Sequence, residues 1–243
     1  MRMMTFAKRN FKEMMRDPLN LAFLFGFPVV LMLLLSAIQA NIPVSMFEIQ
    51  QLAPGIAVFG LAFLTLFSAT LIAKDRRSSF MHRLYTTPMT SADFILGYTL
   101  PLLPIALVEG VACFVVAFFL GLSVSVNLVV AVLLVLPIAL LYVGLGLLCG
   151  SVFNDKQVGG ICGALLTNLS AWLSGIWFDL ALVGGAFQKI ANALPFVHAV
   201  EMERAAVAGN FSEILPHLWW VLGYGIAVLL AAVLLFLRQM KRQ

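Results

Sequence analysis

Charge is what this sequence has least of. Only 11% of its 243 residues are Asp, Glu, Lys or Arg, against about a quarter in a soluble domain. With 62% hydrophobic residues, an ordinary water-soluble globule is excluded. Cysteine is scarce as well: Cys113, Cys149 and Cys162 each sit inside an apolar run without pairing spacing, which indicates neither a disulfide framework nor a metal site. No GxxxxGK[ST] phosphate loop occurs, so the chain has no P-loop nucleotide site of its own. HExxH, GxSxG and Cys/His clusters are also missing, and no paired catalytic residues lie at membrane depth to support a membrane-embedded enzyme. No convincing small-residue cleavage site follows the first apolar run, so a cleaved signal peptide is not expected.

What the sequence does have is apolar runs near twenty residues, each long enough to cross a hydrocarbon core of ~30 Å. Six spans are expected, at roughly 19–38, 53–73, 94–120, 126–152, 157–178 and 217–237. Thirteen of the fifteen Lys and Arg fall on one side: in the N-terminal segment, the 74–93 loop, the 154–156 loop and the C-terminal tail. The positive-inside rule then makes both termini and the 74–93 loop cytosolic. The net charge of +4 follows this topology and is not a sign of nucleic-acid binding. The expectation is an all-α, multi-pass integral membrane protein of the cell (cytoplasmic) membrane, with residues 1–243 forming one transmembrane domain.

Two segments outside the spans are amphipathic. In residues 1–17, Met3, Ala7, Phe11, Met14 and Met15 line one helical face and Arg2, Lys8, Arg9, Lys12 and Arg16 the others; this reads as an interfacial helix or a soluble amphipathic one. In the 74–93 loop, Phe80, Met81, Leu84 and Tyr85 fall on one face of a short helix that ends at Pro88, with Lys74, Arg76, Arg77 and Arg83 on the rest. That helix either presses on a cytosolic partner or lies solvated against lipid headgroups. Thr90 and Asp93 have the spacing of a capping box for the next helix.

The 179–216 link is too apolar to float in water and too broken, at Gly184-Gly185 and Pro195, to span twice. Two half-helices dipping back into the outer leaflet fit it; so does an interfacial loop lying flat. Its His198, Glu201 and Glu203 have poor spacing for a metal site and are expected to stay wet, with Glu201 and Arg204 pairing at i, i+3. Glu109 is the one clear ionisable group in mid-membrane. It is either a polar contact or proton carrier on a substrate path, or a structural hydrogen bond to a neighbouring helix. Gly146 with Gly150, and Gly159 with Gly163, are small-xxx-small patterns that let helices approach closely.

In combination these features resemble the ABC-2 family of ABC-exporter permeases, which have the type V exporter fold. The residues that carry the resemblance are His82-Arg83-Leu84-Tyr85-Thr86-Thr87-Pro88-Met89 with Phe94-Ile95-Leu96-Gly97, and Leu194-Pro195-Phe196-Val197-His198 with Glu203-Arg204 and Gly209. The acidic-plus-glycine start usual in the family's cytosolic loop is replaced by Asp75-Arg76-Arg77-Ser78-Ser79. The resemblance implies an N-terminal interfacial helix, a coupling helix at 76–86, and re-entrant external half-helices between spans 5 and 6. It implies a permease subunit that exports an apolar or amphiphilic cargo (drug, lipid or peptide; polysaccharide is less favoured). A separate ATPase subunit, holding ATP and Mg, would dock on Arg76, Arg77, Phe80, Met81, Arg83, Leu84 and Tyr85. A second copy or a related permease would complete the pathway, and Pro195, His198, Glu201 and Arg204 would lie in an external gate. No cofactor is expected in this chain. The rival reading is a proton-coupled secondary transporter using Glu109, against which the weak internal repeat symmetry counts.

Overall fold

The computed structural model describes residues 2–43, 45, 47–78 and 90–240, and the regular structure among these is helical. Helix α1 (Arg2–Met14) leads, through Asp17, into α2 (Pro18–Gln39). Asp17 Oδ1 accepts from the Asn20 amide at 3.2 Å and Pro18 takes the first helical position, where its missing N–H costs nothing. Helix α3 (Ile49–Arg77) follows. Beyond residues 79–89 come α4 (Ser91–Thr99) and α5 (Leu102–Phe119), which join at Pro101 into one apolar rod. The expected capping box is present: Thr90 Oγ1 accepts from the Asp93 amide, and the Asp93 carboxylate accepts from the Thr90 amide. Helix α6 (Asn127–Val152) returns across the molecule.

Helix α7 covers residues 155–172 as a short α-helical start (Asp155–Val158), a π-helical stretch (Gly159–Leu166) and an α-helical end (Thr167–Trp172). It stops earlier than the apolar run at 157–178 predicts, because the chain turns at Gly175 with φ of 72°. The π stretch leaves a carbonyl for Thr167, whose Oγ1 donates to Cys162 O at 2.8 Å. Three short helices follow, α8 (Leu180–Val183), α9 (Gly185–Ala193) and α10 (Pro195–Ala208), and then the long α11 (Phe211–Met240).

Among the described residues, five stretches are long and apolar enough to cross a bilayer: Pro18–Gln39, Ile49–Arg77, Ala92–Phe119, Asn127–Val152 and Phe211–Leu235. This is a multi-pass membrane protein. Its centre is α3, 21 of whose 29 residues are buried. Helices α2, α5, α6, α7 and α10 all pack on it, whereas α2 and α11 leave most of their apolar surface uncovered, as lipid-facing helices do.

Close approach of α6 to α3 depends on two small residues. Gly146 lies against Ser68 and the Thr65 carbonyl. A Cβ at Gly150 would sit 2.6 Å from the Ala69 carbonyl oxygen, so a side chain there forces the backbones apart. In the same seam Thr65 Oγ1 donates to Tyr142 O at 2.9 Å. The second glycine pattern divides differently: Gly163 faces Leu66, and Gly159 faces open space.

One expectation about α1 is corrected. The face it buries is Phe6, Ala7, Asn10 and Met14; Phe11 and Met15, expected beside Met14, are exposed. Helix α1 packs on α4, where Gly97 leaves room for the Phe6 ring. That ring meets Phe94 and Tyr98 at centroid distances of 5.7 and 4.9 Å, contacts worth about 0.5–1.5 kcal/mol each beyond area burial. A protein partner thus selects the buried face, and Met4, Phe11 and Met15 remain outside it.

Candidate functional site

At the basic end of α3, three helices meet at one carboxylate, that of Asp75. Asp75 is buried, at 2% exposure. The Arg9 guanidinium from α1 grips it with both terminal nitrogens, Nη1 to Oδ2 at 2.6 Å and Nη2 to Oδ1 at 2.8 Å. This fork-to-fork geometry is the strongest form of such a pair. Tyr98 from α4 donates its hydroxyl to Asp75 Oδ2 at 2.6 Å. Arg9 is held in turn by Glu13 at 2.6 Å and donates to Asn10 Oδ1 at 2.9 Å, while the Asn10 amide donates to Gly97 O at 3.0 Å. One residue further on, Arg76 Nη1 donates to the carbonyls of Gly150 at 2.8 Å and Phe153 at 3.4 Å, capping the C-terminal end of α6, where orphan carbonyls need donors.

The structure therefore uses Arg76 inside the chain, to fasten α3 to α6. Arg77 is largely exposed and reaches Asp155 only at 3.8 Å, a pairing of little energetic weight. Phe80, Met81, Arg83, Leu84 and Tyr85 lie outside the described residues. What the structure defines is the root from which they extend: one strand of the loop leaves a clamp of α1, α3, α4 and α6, and the other re-enters through the Thr90–Asp93 capping box.

A second cluster lies at the opposite end of α3. Pro195 opens α10 at its first turn. Arg204 donates to Glu201 Oε1 at 2.8 Å, to Gly175 O at 3.0 Å and to Gln51 O at 3.3 Å. The expected Glu201–Arg204 pair is present, and it also ties α10 to the start of α3 and to the turn after α7. Glu201, Arg204, Gly175 and Gln51, with Asp179 and Asn192, line an open cavity of about 680 Å³, and Pro195 is not among its lining residues. His198 is set apart: its Nε2 lies 3.0 Å from Asn192 O and its Nδ1 lies 2.8 Å from His217 Nδ1. The carbonyl can only accept, so His198 Nε2–H donates, and His217 Nδ1–H donates to the bare His198 Nδ1. Trp220 stacks on the His198 ring at 4.7 Å.

Glu109 and Glu203 overturn one expectation. Glu203, expected to be wet, is completely buried on α10, and Glu109 is completely buried on α5. Glu109 is thus not alone as a buried acid. The Cys113 thiol donates to Glu109 Oε1 at 3.2 Å, and that oxygen rests against Gly60 of α3, filling the space a Cβ would need. The signal for Glu203 was in the sequence: with 195–208 helical, it follows Phe196, Ala199 and Val200 along the buried stripe at i, i+3, i+4 and i+7. Among the described residues, no three His, Cys, Asp or Glu side chains converge as metal ligands.

A scan against protein-family models matches residues 1–207 to the ABC-2 type transporter model. A search of the curated proteins gave no significant match.

Proposed function

Because the chain belongs to the ABC-2 type transporter family, a family of non-catalytic membrane components, we propose that it is the permease subunit of an ATP-driven exporter for apolar or amphiphilic cargo. The observation that carries this reading is the clamp at Asp75. A loop that must transmit force from a moving partner needs a stiff root, and Arg9, Tyr98 and Arg76 stiffen both sides of it. A separate ATPase subunit, with its ATP and Mg, docks on the loop that carries Phe80, Met81, Arg83, Leu84 and Tyr85, with Arg77 at its edge. Two permease copies, or this chain and a related one, enclose the pathway.

In this reading the chain crosses the cell membrane six times with both termini in the cytosol, α7 being the fifth span. Eighteen helical residues at ~1.5 Å each reach about 27 Å, close to the hydrocarbon thickness. Helices α9 and α10 form the re-entrant external pair. The support is in their depth. Tyr224, thirteen residues into α11, donates to Ala193 O at 2.6 Å; Tyr142, fifteen residues into α6, stacks on Phe196 at 6.2 Å. Both positions lie about 20 Å along their helices, while Gly209, at the far end of α10, touches Asn127 at the start of α6. The external gate then comprises Pro195, His198, Glu201 and Arg204 beside the 680 Å³ cavity.

The test is efflux of an amphiphilic dye from vesicles that contain this chain and its ATPase. Efflux that needs ATP and persists when the proton gradient is collapsed supports the reading. Efflux driven by the proton gradient without ATP would replace it with the secondary-transporter reading.

A further inference from the structure

Glu109 and Glu203 place two carboxyl groups in the interior of a membrane protein with very little to neutralise them. Both side chains have no exposure. Of their four oxygens, Glu109 Oε2 and both oxygens of Glu203 receive no hydrogen bond; Glu109 Oε1 receives the Cys113 thiol, a weak donor. The groups around Glu109 are equally bare. Helix α3 presents Gly60, with Pro28 of α2 beside it, and Val135 of α6 packs on Gly110, the neighbour of Glu109. On α5 the titratable neighbour is Cys113, and on α10 Arg204 is engaged with Glu201, Gly175 and Gln51. From α11, His217 is committed to His198. Among the described residues, the Cys113 thiol supplies the one hydrogen bond that either carboxyl receives.

A buried carboxylate without a counter-charge or donors is far costlier than a neutral acid. We propose that the buried Glu109 and Glu203 carboxyls bind protons at neutral pH, and that the proton on Glu203 lets α10 stay seated between α3 and α6. The binding step is simple: a carboxylate oxygen takes a proton from water and becomes a neutral acid, and release returns it to water. Release leaves a buried carboxylate on α10 with neither a cation nor a donor, so α10 is pushed from its seat. Entry of water on outward movement of α10 stabilises the carboxylates and releases the proton. The two events are linked and must influence each other reciprocally. Because α10 also carries Arg204, which joins the ends of α3 and α7, the proton governs the cavity at that end of the molecule. This inference rests on the burial geometry and holds whichever energy source drives transport.

The experiment uses the full-length chain in lipid nanodiscs. Infrared titration follows the stretching band of protonated carboxyls, and dicyclohexylcarbodiimide, which labels protonated acids in apolar surroundings, locates them by peptide mass spectrometry. At neutral pH the parent should show the band and label at Glu109 or Glu203. The Glu109→Gln/Glu203→Gln double variant should lose both signals. Each single Gln variant should lose the label only at the substituted position. A parent with no protonated band and no label at neutral pH would overturn the proposal, and that result needs no variant to fold. A parent labelled at other acids only, with neither Glu109 nor Glu203 modified, would overturn it as well.

Discussion

Removing Arg9 while keeping Asp75 should be among the most damaging changes at the basic end of α3. The Asp75 side chain is 3% exposed and that of Arg9 is 35% exposed. Arg9→Ala would leave a buried carboxylate with only the Tyr98 hydroxyl and the backbone around it. Breaking a fully buried pair from one side costs about 3–5 kcal/mol; the partial exposure of Arg9 lowers this to about 2–3 kcal/mol. Asp75→Ala should cost a similar amount, because Arg9 loses its two bonds to that carboxylate and the Tyr98 hydroxyl is left buried. The double variant Arg9→Ala/Asp75→Ala removes both charges, so it should cost clearly less than the sum of the singles. In a Tyr98→Phe background, which takes the third partner out of the cycle, the coupling should be about 2 kcal/mol. Arg9→Lys should recover only part of it, since an ammonium cannot make the two-pronged contact. The assay is reversible unfolding in mixed micelles of increasing denaturing-detergent fraction, followed by circular dichroism. Additive single effects, with coupling below about 0.5 kcal/mol, would refute the idea that this contact fixes the loop's root.

Other consequences follow from the packing. Gly150→Ala puts a Cβ 2.6 Å from the Ala69 carbonyl oxygen and should destabilise the α3–α6 seam by about 1–3 kcal/mol, measured in the same unfolding assay; no change would mean that the two helices are not held at this distance. Gly60→Ala should act through Glu109, whose Oε1 occupies the same space, and should shift the infrared band of the protonated carboxyl as well as lowering stability; Gly163→Ala, facing flexible Leu66, should do neither. Burial lowers the proton affinity of His198 below that of an ordinary imidazole; the Asn192 carbonyl opposes this, His217 adds to it and Glu201 opposes it. A histidine with a depressed folded-state value stabilises the fold fully above its unfolded value near 6.5 and loses that contribution as pH falls below it. The fluorescence of Trp220, stacked on His198, should therefore fall as the solution is acidified through this range, and His198→Gln should remove that response. Identical pH profiles in parent and variant would count against the stacked, neutral His198.

Much of the architecture was legible because membrane spans are written in composition. Long apolar runs depend on the solvent, tertiary packing does little to obscure them, and five of the six expected runs are helices long enough to cross a bilayer. The capping box at Thr90–Asp93 and the Glu201–Arg204 pair were also legible, since both are local. The misses share a cause. Asp75 and Arg9 are 66 residues apart, and the sequence marks each only as a charge near a span end; a partner helix decides that one becomes the anchor of the other. The buried face of α1 was misread because both of its faces carry apolar residues, and Gly97, on a different helix, selects Phe6. Glu203 was misread because a carboxylate in a link is ordinarily wet; reading 195–208 as a helix first would have put it on the buried stripe. The length of α7 escaped because apolarity continues through Ile176, Trp177 and Phe178 after the helix has ended.

The central claim, that a separate ATPase works this chain through the loop rooted at Asp75, is tested most directly by copurification. The chain would be tagged in its native membranes, solubilised gently and isolated alongside Leu84→Glu, which places a charge on the apolar face of the loop. The account predicts that a P-loop ATPase comes down stoichiometrically with the parent and is lost from Leu84→Glu, while the variant keeps the parent's unfolding midpoint. An ATPase bound equally by both forms, or by neither, would contradict it.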